Sequence, residues 1–310
     1  MGNAIGRLVV IAGPTGTGKS DLSLGLAGRL DGEVINADSM QLYRGMDIGT
    51  AKLAPDQRGG IPHHLLDVLD IDAPASVAAY QRHARNAIEA ILSRGRTPIL
   101  VGGSGLYVNA VIDEMAFPAT DPAVRSRWET ELADRGASAL HARLAGLDPV
   151  AAAAIEPGNG RRLVRALEVI ELTGAPFSAT LPAPGPSRYD AALFFLDRPV
   201  DELDRRLAER VTAMVAAGLA GEVADLADRG LRTAPTAARA LGYRQFLEVL
   251  DGRSTPAAAA AATLTATRRF VRRQRSWFGR DRRWSTVPAG QVATMPTVLR
   301  GLARAAGSQP

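Results

Sequence analysis

Residues 8–20 read Leu-Val-Val-Ile-Ala-Gly-Pro-Thr-Gly-Thr-Gly-Lys-Ser and are the most informative part of the sequence for the fold. Residues 13–20, GPTGTGKS, match the phosphate-loop pattern G-x-x-x-x-G-K-[ST] at every fixed position. Apolar residues 8–12 precede the loop and an amphipathic run to Leu30 follows it, which predicts a strand, a loop and a helix. The backbone N–H groups of such a loop bind an anion together with the helix N-terminus. The stretch therefore predicts an α/β fold with a phosphate-binding loop.

The same loop supplies side chains for a phosphorylated ligand. Lys19 supplies a positive charge to the terminal phosphate, and the Ser20 hydroxyl suits Mg²⁺, which prefers oxygen ligands. The pattern indicates a diphosphate or triphosphate without specifying the reaction. We predict that the whole loop binds this ligand, through Gly13, Pro14, Thr15, Gly16, Thr17, Gly18, Lys19 and Ser20.

Strands and helices alternate beyond the loop. Residues 33–36 and 98–101 have the short apolar pattern of buried strands, and residues 74–94 have helical spacing. This alternation predicts βαβ units and a parallel sheet, in which ligands bind beyond the carboxyl ends of the strands. We expect three polar loops to meet there, at residues 13–20, 37–41 and 102–106.

The character of the chain changes near residue 117. Helical patterns predominate from there to residue 190, and an apolar strand returns at residues 191–196. We predict a P-loop NTPase-like parallel sheet flanked by helices, formed by residues 1–116 and 191–310 and interrupted by a helical insertion domain at residues 117–190. Helical spacing predicts the remaining helices at 121–135, 138–144, 149–155, 161–172, 200–217, 219–227, 238–250 and 256–278.

Composition excludes several protein classes. Of the 310 residues 46% are hydrophobic and none is cysteine, which rules out disulfide frameworks, thiol nucleophiles and cysteine-based zinc sites. No apolar stretch approaches the roughly 20 residues that a membrane span needs, so we expect a cytoplasmic protein without a membrane partner. His63 and His64 are adjacent, and adjacent side chains of an extended chain point to opposite faces. We interpret them as hydrogen-bonding loop residues rather than metal ligands.

Basic charge is concentrated at the end of the chain. The net charge is +5, but residues 268–310 contain ten arginines and one aspartate, or +9, so the rest of the chain sums to −4. Arginine pairs with phosphates and stacks on bases, so residues 268–284 suit a polyanion. A solvated basic helix face is the alternative. The chain has two lysines, Lys19 and Lys52, and the sequence indicates no role for the second.

Asp38 lies just beyond the end of the second predicted strand, so in a parallel sheet it faces the phosphate loop. A carboxylate there can hold Mg²⁺ through water or act as a general base on a bound nucleophile. A turn or helix-capping role is the alternative. Asp197, at the end of the apolar residues 193–196, resembles the end of a Walker B strand, and we interpret it as an ordinary strand end.

Six motifs follow one another in a characteristic order. They are GPTGTGKS (13–20), DSMQLYRGMDIGTAK (38–52), PHHLLD (62–67), VGGSGLY (101–107), RRLVRALEV (161–169) and ARALGYRQ (238–245). In this order they resemble the tRNA dimethylallyltransferases, also called tRNA isopentenyltransferases or the IPP transferase family. The resemblance covers nearly the whole chain and is to the bacterial type, since the zinc finger of eukaryotic members is absent.

The resemblance implies transfer of a dimethylallyl group from dimethylallyl diphosphate to N6 of the adenine 3′-adjacent to the anticodon, with release of diphosphate. It places the leaving diphosphate in the loop at residues 13–20. It implies catalytic roles for Thr17, Lys19 and Arg210, with Asp38 as the general base. Mg²⁺ is the implied cofactor, held by Ser20 and Asp38 directly or through water, and a monomer is expected.

The resemblance also implies contacts with the anticodon stem-loop of tRNA, made by the core and by the insertion domain. The basic C-terminal helix is expected to follow the tRNA backbone. The implied contact residues are Asp38, Ser39, Met40, Gln41, Ser104, Arg125, Arg161, Arg162, Leu163, Val164, Arg165, Arg239, Gly242, Tyr243 and Arg244.

Three other functions share part of this pattern. An ATP-binding, P-loop small-molecule kinase would use the phosphate loop and Asp38, but it does not need a basic C-terminal helix. An adenylate-type prenyltransferase would act on a mononucleotide, which does not need the long insertion. A nucleotide-dependent RNA-binding protein without chemistry would not need Asp38.

Overall fold

A computed structural model describes residues 7–180, 185 and 187–306 of the chain. The chain divides into two compact units, Asp113–Gly185 and the remainder. The predicted insertion at residues 117–190 begins four residues later and ends five residues later than the smaller unit. Within the described residues no helix is long and apolar enough to cross a membrane.

The larger unit is built on a parallel sheet. Its strands are β1 (Val9–Ala12), β2 (Gly32–Asn36), β3 (His63–His64), β4 (Thr97–Gly102), β5 (Ala192–Asp197) and β6 (Ser285–Pro288). They lie in the order β3-β2-β4-β1-β5-β6, and every pairing is parallel. The predicted parallel α/β fold is therefore confirmed. The sequence did not predict β3, which has two residues, or β6, which is mostly exposed and lacks an apolar run.

Most helices of both units fall close to the predicted positions, but the sequence patterns did not predict the helices at Gly105–Ile112 and Thr294–Ala306. In chain order they are α1 (Lys19–Leu30), α2 (Val77–Ser93), α3 (Gly105–Ile112), α4 (Pro122–Leu147), α5 (Pro149–Ala154), α6 (Gly160–Thr173), α7 (Val200–Ala216), α8 (Leu219–Asp228), α9 (Tyr243–Leu250), α10 (Pro256–Phe278) and α11 (Thr294–Ala306). Helices α4, α5 and α6 belong to the smaller unit.

Side chains that alternate along β1 divide the core of the larger unit into two layers. Val9 and Ile11 belong to a buried cluster with residues of α1 and α11, such as Leu26. Val10 belongs to a second cluster on the other side, with residues of α2, α3 and α10 such as Phe278. The sheet is thus covered on both faces, as its continuous apolar strands require.

The helix predicted at residues 238–250 is wrong in its first part. The structure has a short 3₁₀ turn at Ala237–Arg239, and α9 begins only at Tyr243. Gly242 lies between them with a φ of +89°, a left-handed conformation that interrupts a helix. Its N–H donates a hydrogen bond to the Gln245 side chain at 2.9 Å. The apolar spacing continues through this break and therefore does not reveal it.

The smaller unit is helical, as predicted. Its longest helix, α4, contains the separate helices predicted at 121–135 and 138–144, joined at Gly136, whose φ of 77° and ψ of 167° are not helical. Trp128 of α4 and Leu163 of α6 belong to the buried cluster of this unit. The glycine lets the two segments of α4 change direction while both keep apolar residues in that cluster.

Gly13 provides a test of the packing between the phosphate loop and the sheet. Its φ is +152°, and a methyl group added to it would lie 2.2 Å from the carbonyl oxygen of Leu196 in β5. We predict that Gly13→Ala lowers the free energy of unfolding by about 1–3 kcal/mol, the usual cost of overpacking. Gly28→Ala in α1 is the matched control, because a methyl group there meets no atom within 4 Å. Chemical denaturation measures both, and equal losses of stability would contradict the predicted clash.

Candidate active site

The phosphate loop connects β1 to α1 and is closed by its own side chains. Gly16 and Gly18 have φ values of +85° and +89°, which other residues rarely adopt. The buried Thr17 hydroxyl donates to the Pro14 carbonyl at 2.9 Å. Lys19 donates from Nζ to the same carbonyl at 2.7 Å. The lysine thus lies across the loop, where the same ammonium group can pair with a bound anion.

Burial and the charges around the loop determine the pKa of the Lys19 amino group. Desolvation of its amino group, followed by the positive charge of Arg210, lowers the pKa of Lys19 to about 7, although Asp38 opposes this. Burial is also the main reason that the pKa of Arg210 is lowered, with Asp38 again opposing the change. Lys19 keeps partial solvent contact as a residue, so the effect concerns its buried end. A bound anion would stabilise both cations.

Asp38 lies two residues beyond the carboxyl end of β2 and is held by hydrogen bonds to its neighbours. Its N–H donates to Asn36 Oδ1 at 2.9 Å, and its carbonyl accepts from Asn36 Nδ2 at 3.0 Å. One carboxylate oxygen, Oδ1, accepts from the Met40 N–H at 2.9 Å. The residue is half-buried. The turn contact, which stood as the alternative role for Asp38, is therefore present. The negative charge of Asp38 also acts to raise the pKa of Lys19.

The three predicted polar loops meet at the carboxyl ends of β1, β2 and β4. Ser39 donates from its N–H to Ser104 Oγ at 3.4 Å, which joins the loops after β2 and β4. Gly102 allows this approach, because a methyl group there would lie 2.3 Å from the Ala37 carbonyl oxygen. The site expected from a parallel sheet is therefore assembled by strand ends.

Arginines from α7 and from just before it contact the loops. Arg206 donates from Nε to the Gly16 carbonyl at 3.0 Å, and Arg210 donates from Nη2 to the Thr50 carbonyl at 3.4 Å. Arg198 donates from Nε to another phosphate-loop carbonyl at 3.2 Å. Sequence reasoning missed Arg198 and Arg206. The four-residue spacing that places Arg206 and Arg210 on one helix face is the signal that could have found Arg206.

Lys52, which had no role in the sequence, organises the loop at residues 47–52. Its side chain is 3% exposed, and Nζ contacts Asp47 Oδ1 at 2.7 Å and Asp67 Oδ1 at 2.5 Å. It also donates to the Tyr43 carbonyl at 2.8 Å. The compact ammonium group of lysine contacts all three oxygens with one nitrogen atom. The planar guanidinium group of arginine has a different shape and does not reproduce this arrangement.

Glu222 of α8 anchors the same loop from the other side. Its carboxylate accepts the N–H groups of residues 47–49 at 3.0, 2.7 and 3.1 Å and the Tyr243 hydroxyl at 2.6 Å. The Thr50 carbonyl, which contacts Arg210, also accepts from Gln41 Nε2 at 3.1 Å. Lys52 and Glu222 thus hold the loop segment that contacts the catalytic candidates.

The structure separates the predicted tRNA-binding residues of the larger unit into two groups. Tyr243 is buried, and burial followed by the Glu222 charge raises the pKa of its hydroxyl. Gly242 is also buried. The side chains with solvent contact belong to Asp38, Ser39, Met40, Gln41, Ser104, Arg239 and Arg244.

In the smaller unit, the predicted residues also differ in accessibility. Leu163 and Val164 are buried in its core. Arg165 donates to Glu168 Oε2 at 2.9 Å and to the Pro118 carbonyl at 2.8 Å. The remaining positions lie nearer to solvent: Arg125, which pairs with Glu129 at 3.5 Å, and the exposed Arg161 and Arg162.

Two other candidates make structural contacts. Asp197 Oδ1 accepts from Arg275 Nε at 3.0 Å and Nη2 at 2.8 Å, so it pairs with α10. His64 Nε2 lies 2.6 Å from Glu33 Oε2. Across the part of the chain that the structure describes, no group of three or more His, Cys, Asp or Glu side chains is arranged to hold a metal ion.

Comparison with known sequences identifies the family. The sequence pattern described as IPP transferase matches residues 41–282. A tRNA dimethylallyltransferase of Saccharopolyspora erythraea is 66% identical over 277 residues, which are 89% of this chain and 89% of that protein. One of Salinispora tropica is 57% identical over 304 residues, 97% of this chain and 95% of that protein.

Solved structures of similar proteins support the same family. The full-length tRNA isopentenylpyrophosphate transferase of Bacillus halodurans has a TM-score of 0.71 and 40% identity, covering 97% of this chain and 96% of its own. A eukaryotic dimethylallyltransferase acting on tRNA has a TM-score of 0.78 and 27% identity, covering 96% of this chain and 77% of its own. Together with the phosphate loop, these likenesses define the chain as a transferase with a P-loop-like fold. It belongs to the IPP transferase family.

The low pKa of Lys19 is open to direct measurement, because ¹³C-lysine labelling of a chain with two lysines yields two side-chain signals. We predict that the Lys19 signal titrates near pH 7 in the protein alone. Inorganic diphosphate should move this titration to higher pH, because an anion stabilises the ammonium form. The Lys19→Arg variant assigns the signal by removing it. A Lys19 signal that titrates near the ordinary value of 10.5, with and without diphosphate, would contradict the arrangement.

Proposed function

We propose that the protein transfers a dimethylallyl group from dimethylallyl diphosphate to N6 of the adenine 3′-adjacent to the anticodon of tRNA, releasing diphosphate. The observation that carries this proposal is that the charges of Lys19, Arg210 and Asp38 interact with one another beside the phosphate loop. Two cations there suit a leaving diphosphate, and one carboxylate suits a proton acceptor. Membership of the IPP transferase family supports the same reaction.

The phosphate loop would bind the leaving group. As the allylic C–O bond breaks, negative charge grows on the diphosphate oxygens, and preorganised donors lower the barrier most where charge develops. Lys19 would exchange the Pro14 carbonyl for a diphosphate oxygen, with Arg210 as the second cation. The Thr17 hydroxyl, buried against Pro14, keeps the loop in the conformation that presents its N–H groups.

Asp38 would accept the proton from the nucleophile. The adenine N6 amine is a weak nucleophile because its lone pair is delocalised into the ring. As the bond from N6 to the allylic carbon forms and the C–O bond breaks, the N6 proton passes to the Asp38 carboxylate. The electron pair of the C–O bond leaves with the diphosphate. A base that takes a proton during such a step contributes roughly 10²–10⁴-fold in rate.

A Mg²⁺ ion suits this site when diphosphate is bound. Magnesium takes oxygen ligands, uses one or two carboxylates and completes its shell with phosphate oxygens and water. The Ser20 hydroxyl at the start of α1 would hold it, and the half-buried Asp38 carboxylate would hold it through a water molecule, which leaves that carboxylate able to accept a proton. Bound there, the ion would neutralise charge on the diphosphate.

The tRNA would be bound by exposed arginines, since the anticodon loop presents phosphates and unstacked bases. On α10 these include Arg272 and Arg273, which are exposed, whereas Arg275 pairs with Asp197. Arg239 and Arg244 are exposed in the same unit. With tRNA as the substrate, we propose a cytoplasmic enzyme that acts as a monomer.

The reaction is tested by mass spectrometry of nucleosides from unmodified tRNA incubated with the protein, Mg²⁺ and labelled dimethylallyl diphosphate. We expect one labelled dimethylallyl group on the adenosine next to the anticodon, with one diphosphate released per group. Consumption of ATP with a small acceptor, while tRNA stays unlabelled, would instead establish a kinase. Labelling of free adenylate but not of tRNA would establish a mononucleotide prenyltransferase.

The role of Asp38 is tested by Asp38→Asn, which keeps the shape and the contact with Met40 but removes the base. We expect kcat to fall by roughly 10²–10⁴-fold, while the Kd for tRNA changes less than about threefold. Asp56→Asn, an exposed aspartate in the turn at Pro55–Arg58, is the matched control and should behave as the unaltered protein. If Asp38→Asn keeps its turnover, Asp38 is not the base.

The salt dependence of tRNA binding tests the basic face of α10. Each lost phosphate contact reduces the slope of log K against log salt by roughly 0.7–0.9. Arg272→Ala combined with Arg273→Ala should therefore flatten the slope by about 1.5. The control pair is Arg232→Ala with Arg253→Ala, which removes the same charge from arginines that pair with Asp251. An equal slope in both double variants would assign the α10 face to solvent.

A further inference from the structure

Gln274 is a buried polar residue on the inner side of α10. It is 5% exposed, although the neighbouring Arg272 and Arg273 are exposed. Both ends of its side-chain amide are used: Oε1 accepts from the Thr15 N–H at 3.1 Å, and Nε2 donates to the Gly103 carbonyl at 2.9 Å. Burying an amide is costly unless it is hydrogen-bonded, so these two contacts account for a glutamine at this position.

The two contacts tie together two of the loops that form the site. Thr15 lies inside the phosphate loop, and Gly103 precedes Ser104 in the loop after β4. The fit is close, because a methyl group added to Gly103 would lie 2.2 Å from Gln274 Nε2. One side chain of α10 therefore sets the distance between the phosphate loop and the neighbouring strand end.

The next residue of α10 makes a second connection to the same loop. Arg275 pairs with Asp197 and donates to the Arg198 carbonyl. Arg198 in turn donates from Nε to the Thr17 carbonyl at 3.2 Å. Helix α10 thus reaches the phosphate loop at Thr15 directly and at Thr17 through Arg198.

We propose that Gln274 is a positioning residue for the diphosphate group of the donor. By holding the Thr15 N–H and the Gly103 carbonyl, it keeps the backbone N–H groups of residues 16–20 directed at the bound diphosphate. It acts through the loop and touches neither substrate. This inference rests on the proposed function for the identity of the donor, whereas its effect on diphosphate binding is independent of tRNA.

The test is Gln274→Met, which keeps the length of the side chain and removes both hydrogen bonds. Two lost hydrogen bonds of ordinary strength correspond to roughly a tenfold effect. We expect the calorimetric Kd for inorganic diphosphate with Mg²⁺ to rise about tenfold. The KM for dimethylallyl diphosphate should rise with it, while the KM for tRNA changes less than about twofold.

Controls separate positioning from general stability. Thr267→Val removes a partly buried hydroxyl of the same helix, which bonds the Thr263 carbonyl, and it should leave diphosphate binding unchanged. Gln274→Glu retains an acceptor for the Thr15 N–H, but it places a carboxylate oxygen against the Gly103 carbonyl oxygen, where two acceptors repel each other. It should therefore weaken diphosphate binding at least as much as Gln274→Met does. It also serves as the second variant if Gln274→Met fails to fold.

Two results would overturn the inference. One is diphosphate binding by both Gln274 variants that equals the unaltered protein. The other is an equal loss of affinity for diphosphate and for tRNA, together with a lower Tm, which is the behaviour of a structural residue. If the unaltered protein binds diphosphate but does not modify tRNA, the proposed function fails while the role of Gln274 is still decided by the binding data.

Discussion

The whole site depends on the close approach of the backbone at Gly13 to strand β5. Only a residue without a side chain fits there, because a methyl group would lie 2.2 Å from the Leu196 carbonyl oxygen. This contact fixes where the phosphate loop leaves β1 and where α1 begins. Because β5 is the neighbour of β1, the chain that leaves β5 passes beside the loop. It delivers Arg198 and then α7, with Arg206 and Arg210, to the same place.

The second constraint is electrostatic. Lys19 donates to a carbonyl of its own loop, and burial together with Arg210 holds the pKa of Lys19 near 7. Such desolvated cations are unfavourable alone and become favourable beside a bound anion. The two cations are therefore suited to bind a phosphate group, and the negative charge of Asp38 partly balances their positive charge. This arrangement suits the departure of a diphosphate and the removal of a proton within one site.

Short motifs and apolar spacing predict the features that depend on residues close together in the sequence. The phosphate loop, the parallel sheet and Asp38 could be found because each depends on a short motif or on apolar spacing. The contact of Gln274 with Thr15 spans 259 residues, and no short motif indicates it. The basic composition of α10 does not separate Arg275 from the exposed arginines, because its partner Asp197 lies 78 residues away. Lys52 stands out because the chain has two lysines, but its partners lie in loops whose path only the fold determines.

We infer that the leaving diphosphate replaces an internal contact of the loop, the hydrogen bond from Lys19 to the Pro14 carbonyl. A crystal structure of the protein with inorganic diphosphate and Mg²⁺ tests it most directly. We expect diphosphate density against the N–H groups of residues 16–20, with Lys19 Nζ moved from the Pro14 carbonyl to a diphosphate oxygen and Arg210 on the same anion. Diphosphate bound elsewhere, or bound in the loop while Lys19 stays on Pro14, would contradict it.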